Sequence, residues 1–97
     1  MEPARRWLIA YDIGQDDRRG RVARLLEAHG DRVQYSVFVV DLRPARLVRL
    51  RALLAALITG SDSLLVVDLG PVANLTDQRF SYLGRQRSIT SPASFVV

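Results

Sequence analysis

Asp12, Asp16 and Asp17 stand close together near the N-terminus, with Arg18, Arg19 and Arg21 directly behind them. Carboxylate oxygens suit hard cations such as magnesium, which keep several of their waters when bound. A cation held there would polarise a phosphate and lower the pKa of its bound water. Guanidinium groups make forked contacts with phosphate, so the arginines would neutralise its charge. One aspartate is a poor metal site. Two copies of Asp12 brought together by a two-fold axis make a plausible one. Asp16 and Asp17 read differently: Asp16 suits a helix N-cap, and Asp17 the positive end of the helix dipole. His29 is the only histidine. It reads as a structural helix-end residue, and no second histidine exists to make a metal pair.

The elements that position these residues begin with an apolar strand over Arg6–Ile13, which carries Asp12 at its end. A charge there sits at the sheet rim, where ligands of α/β folds bind. A helix follows from Asp17 to His29, stopped by Gly30 at C′. Its core stripe is Val22, Leu25, Leu26 and His29. The β-branched and aromatic run Asp31–Leu42 is strand, either one long strand or two arms joined at a kink. A second helix spans Pro44–Ile58, with Pro44 at its first position and Leu47, Leu50, Leu53, Leu54, Leu57 and Ile58 as its apolar face. Ser63–Leu69 reads as a buried strand, Val72–Gln78 as turn, and Arg79–Leu83 as a short strand. Residues 85–97 form a tail whose apolar end, Ser94–Val97, is a strand with no hairpin partner beside it. Such a strand pairs with a distant edge or with another subunit. The order predicts a ferredoxin-like α+β sandwich: one domain over residues 1–97, two helices on one face of a mostly antiparallel sheet.

Composition narrows the function classes. A chain of 97 residues is one domain, small enough that a partner subunit would help it bury surface. Cysteine is absent, which excludes disulfides, thiolate metal sites and cysteine nucleophiles. No apolar run reaches transmembrane length, and MEPARRW lacks the apolar region of a signal peptide. The cytoplasm is therefore the expected location, with no membrane partner. Net charge is +4, and all fourteen basic residues are arginine. Residues 1–60 hold eleven arginines against seven acids, and residues 61–97 three against three, so the excess lies entirely in the first part. That balance points towards a nucleic-acid partner.

Several segments then resemble one family together. They are Tyr11-Asp12-Ile13, Arg18-Arg19-x-Arg21-Val22, Leu25-Leu26 and Gly30-x-Arg32-Val33-Gln34-Tyr35-Ser36-Val37-Phe38. The set closely resembles the small CRISPR-associated protein numbered two, the partner of the integrase in spacer acquisition. The likeness continues more loosely through Pro44–Leu57, Asp62–Val66 and Leu83-Gly84. It implies a ferredoxin-like homodimer, either a magnesium-dependent nuclease on RNA or duplex DNA or a non-catalytic bridge between integrase dimers. It also implies Asp12 as metal ligand and catalytic residue, with Arg19, Arg21, Arg32 and Phe38 in support. Tyr11 and Ser36 lie in the same motifs. Val39 departs from the pattern, since many members carry an acidic residue directly after the Phe. Residues 72–79 match nothing in it.

Two functions compete within that resemblance. One is an adaptation subunit, a homodimer that binds duplex DNA and bridges integrase dimers. The other is a magnesium-dependent endonuclease using Asp12 of both chains. A toxin-type ribonuclease is a third reading on the same fold. An RNA-recognition module is a fourth, and the aromatic signature of that module is absent here.

Overall fold

The computed structural model describes residues 2–75 and 80–85. Its elements, in chain order, are β1 (Arg5–Asp12), α1 (Asp16–Glu27), β2 (Gly30–Gln34), β3 (Val37–Leu42), α2 (Pro44–Leu57) and β4 (Ser63–Pro71), closed by a 3-10 turn at Val72–Asn74. The four strands form one sheet in the order β2-β3-β1-β4, and every pairing is antiparallel. Both helices pack on one face, as the ferredoxin-like expectation required.

β1 is central because its alternation serves that face. Ile9 and Tyr11 point at the helices and are buried with Phe38 and Val40 of β3. Val22, Ala23 and Leu26 of α1 and Leu50 and Leu54 of α2 close the core from above. Burying each large side chain contributes roughly 1.5–3 kcal/mol. Val33 and Val39 form a second small cluster, packed against Val37 and Phe80.

Several boundaries differ from the sequence reading, each for a local physical reason. Gln15, not Asp16, is the α1 N-cap: its side chain accepts from the Arg18 backbone N–H at 2.7 Å. Gly30 is not a helix stop but the first residue of β2. A Cβ there would lie 2.1 Å from the Val39 carbonyl oxygen, so only glycine lets the strands approach. The run from Asp31 to Leu42 is two strands, turned at Tyr35-Ser36, with a register shift between Arg32 and Gln34. That turn and shift break the alternation expected along the run, and Tyr35 comes out 63% exposed.

The apolar run at 63–69 predicts a buried strand, but β4 is an edge strand. None of its residues is buried, because its outer edge and one of its faces are open among the described residues. Helical spacing puts Leu53 on the apolar face of α2, but it lies at the margin of that face and is exposed. Residues 80–83 are not strand. Arg79 and the Ser94–Val97 strand lie outside the described residues. No helix among the described residues is long and apolar enough to cross a membrane.

Candidate nucleic-acid interface at the end of β1

The end of β1 sends neighbouring residues in opposite directions. Tyr11 is buried and faces the helices, so Asp12, one residue on, is exposed on the other face beside Ser63 of β4. The Tyr11 hydroxyl donates to the Tyr35 carbonyl at 3.4 Å, and its backbone N–H donates to the Ser36 carbonyl at 3.0 Å. The β2–β3 turn is thereby pinned to the strand that carries Asp12.

Arg32 ties this cluster together. One of its amino groups donates to the Tyr11 hydroxyl at 3.5 Å, and the guanidinium carbon lies 5.0 Å from the Phe38 ring centroid and 5.9 Å from that of Tyr35. Tyr11 and Phe38 stack with centroids 6.2 Å apart. Glu27 supplies a longer ionic contact to Arg32 at 3.9 Å. A planar cation over aromatic faces is a role lysine fills poorly.

Arg19 and Arg18 brace the loop that follows. Arg19 donates to the Ile13 carbonyl at 2.8 Å and also pairs with Asp16. The hydrogen bond to Asp16 is the main cause that raises the Arg19 guanidinium above its ordinary value. Arg18 reaches across to Asp62, between α2 and β4, with Nε 2.9 Å and Nη2 3.2 Å from the carboxylate oxygens. The same bond raises Arg18 and lowers Asp62, and the Thr59 backbone N–H lowers Asp62 further.

Of the residues singled out in the sequence, Tyr11, Arg32, Ser36 and Phe38 are therefore one contiguous group. Arg19, in the first turn of α1, reaches back to the loop after Asp12, Arg18 is committed to Asp62, and Arg21 is exposed on α1 without a carboxylate partner among the described residues. No three His, Asp or Glu side chains gather into a metal-holding cluster among the described residues. Two features escaped the sequence reading. Tyr35 joins the cluster through its carbonyl and its ring, and its mixed setting between Gln34 and Ser36 was the available signal. Asp62 fixes the first turn of α1, and the sequence offers no local sign of so distant a partner.

The topology and this strand end define a ferredoxin-like domain with one exposed carboxylate at the tip of its central strand, braced by arginines. Comparison with known proteins gives that class its family. The model of the CRISPR-associated protein Cas2 family matches residues 5–74, and the chain belongs to that family. It is 36% identical over 83 residues to a protein of Rhodospirillum rubrum named CRISPR-associated endoribonuclease Cas2 4, covering 86% of this chain and 65% of that one. It is 42% identical over 60 residues to CRISPR-associated endoribonuclease Cas2 of Thermus thermophilus, covering 62% of this chain and 64% of the relative. The chain thus spans just under two thirds of the length of these relatives. Among solved structures, Cas2 of Streptococcus pyogenes superposes with a TM-score of 0.71 at 32% identity, covering 81% of this chain and 99% of that one. A hypothetical protein of Thermus thermophilus superposes at 0.70 with 34% identity, covering 89% and 98%.

Proposed function

We propose that this chain is a nucleic-acid-binding subunit of CRISPR spacer acquisition, a homodimer that holds duplex DNA and bridges integrase dimers. The observation that carries the reading is how the β1 end divides its charges. Asp12 is exposed and makes no side-chain hydrogen bond or ion pair among the described residues, while Arg18, Arg19 and Arg32 hold backbone, carboxylates and rings in place. Among the described residues, this end is held by several hydrogen bonds and presents, beyond the carboxylate, no positioned histidine for acid–base work. A bridge needs rigid geometry and open cationic surface, and needs no general base.

The open side of the sheet supports the dimer reading. Leu65 and Val67 of β4 are 57% and 37% exposed, beside partly buried Leu8 and Ala10 of β1. A second copy covering this face would bury a continuous apolar strip.

A second reading is a magnesium-dependent endonuclease on RNA or duplex DNA. It is supported by the exposure of Asp12 at the strand end and by the endoribonuclease names of the relatives. The donor chemistry fits magnesium, but one protomer supplies one carboxylate, so the fit requires Asp12 from both subunits. When bound, the cation would act as a Lewis acid on a phosphate. Asp12 would hold it, and Arg19 would fix the loop behind it.

One experiment separates the two. Asp12→Asn keeps size and loses the charge that holds a hard cation. On the bridging reading, the variant supports spacer integration when supplied with its integrase. If it abolishes integration while the complex still assembles, the nuclease reading replaces the bridge.

A further inference from the structure

The arginine excess of residues 1–60 divides into committed and open guanidiniums. Arg5 pairs with Asp68, Arg6 with Asp41, Arg18 with Asp62, Arg19 with Asp16, and Arg32 contacts Glu27. Each of these would have to surrender a carboxylate in order to neutralise a phosphate. Arg46, Arg49 and Arg51 of α2 are different. All three are exposed and have no carboxylate partner among the described residues.

The setting of α2 sharpens the contrast. From Pro44 to Leu57 the helix contains no acidic residue. α1 sets Asp16, Asp17 and Glu27 against its arginines, as a helix face that only meets water does. Arg46 and Arg49 are neighbours on the helix surface, roughly 5–6 Å apart at Cβ. Together with Arg43, Pro44, Ala45 and Glu2 they line a depression of about 500 Å³. Glu2 brings one carboxylate to that rim, against three arginines.

Position says what size of anion would use this surface. Leu42 pairs with Arg5, so α2 starts at the end of the sheet opposite Asp12. β1 has eight residues, which at about 3.3 Å each separates the two ends by roughly 25 Å. A ligand touching both ends has to be a polymer; duplex DNA would need about seven base pairs at 3.4 Å each.

We propose that Arg46 and Arg49 form a phosphate-contacting surface on α2 that takes the backbone of a nucleic acid, at the end of the sheet remote from Asp12. The proposal rests on the nucleic-acid reading above and deepens it by assigning the contact. Such contacts position a strand without reading its sequence.

The test uses the full chain with a fluorescently labelled 30-base-pair duplex and a 30-nucleotide single strand, followed by anisotropy across a salt series. R46A/R49A is expected to lower the duplex log–log salt slope by about 1.8, about 0.9 for each lost contact. Its thermal melting should match the wild type. R5A, whose guanidinium is already held by Asp68, should leave the slope unchanged. The single strand should show the same loss with the smaller slope of about 0.7 per contact. Intact binding with an unchanged slope in R46A/R49A overturns the proposal. So does displacement of the duplex by polyglutamate beyond the effect of equal ionic strength, since that marks a surface for acidic protein. A wild-type chain that binds neither probe overturns the nucleic-acid reading itself, and this assignment with it.

Discussion

Arg18 holds Asp62 through a forked pair of hydrogen bonds, 2.9 and 3.2 Å long, joining the first turn of α1 to the loop that leads into β4. The Asp62 side chain is only 1% exposed, and the Thr59 backbone N–H donates to the same carboxylate at 2.9 Å. The loop after Asp12 is therefore held from two sides: by Arg19 on the Ile13 carbonyl and by this clasp just beyond it.

The clasp sets a pH dependence. Arg18, and then Thr59, hold the folded Asp62 carboxyl below its ordinary value. The resulting stabilisation is complete above the unfolded value, about 3.9, and is lost as pH falls through the lower folded one. Melting temperature measured from pH 7 down to pH 2.5 should fall on the acid side. Asp62→Asn should be less stable at neutral pH and show a flatter acid limb. An acid limb identical to the wild type would show that Asp62 does not titrate with unfolding.

Gly30 tests the contact between β2 and β3. Gly30→Ala must displace the Val39 carbonyl, which a new Cβ would meet at 2.1 Å. Urea unfolding should register a loss of about 2 kcal/mol, as for an overpacked core. Gly60→Ala meets nothing within 4 Å and should stay within about 0.5 kcal/mol. Equal effects at the two sites would contradict the close approach.

Arg6 is 1% exposed and bonds Asp41 at 2.7 and 2.8 Å across the β1–β3 ladder. Removing Asp41 takes two hydrogen bonds and the opposite charge away from this buried guanidinium. Asp41→Ala should cost about 3 kcal/mol in chemical denaturation. A loss below about 1 kcal/mol would mean that the guanidinium finds a replacement.

The open sheet face predicts the assembly. Sedimentation at micromolar concentration should give twice the chain mass. Leu65→Asp and Val67→Asp together should yield a folded monomer, because both side chains are solvent-facing within one protomer. A dimer that survives this change would move the interface elsewhere.

Sequence patterning alone determined the architecture. Helical spacing in Val22, Leu25 and Leu26, the proline opening the second helix and the two apolar strands around them predict two helices on one sheet face, one of the few layer arrangements that bury those stripes. The strand-end carboxylate was legible from the apolar run that leads to it, whereas Arg32 and Phe38 stood out only through the family resemblance of the segments that carry them. What the sequence left open depends on contacts distant along the chain. Gly30 read as a helix stop, whereas what requires glycine is the Val39 carbonyl, which only strand pairing brings near. β4 read as buried because its composition is apolar, and only the strand order puts it at an edge. Arg18 and Arg46 look alike as residues. Asp62, forty-four positions from Arg18, makes one a fastener. The absence of any acid on α2 leaves the other open, because a guanidinium's role is set by the carboxylates that folding brings within its reach.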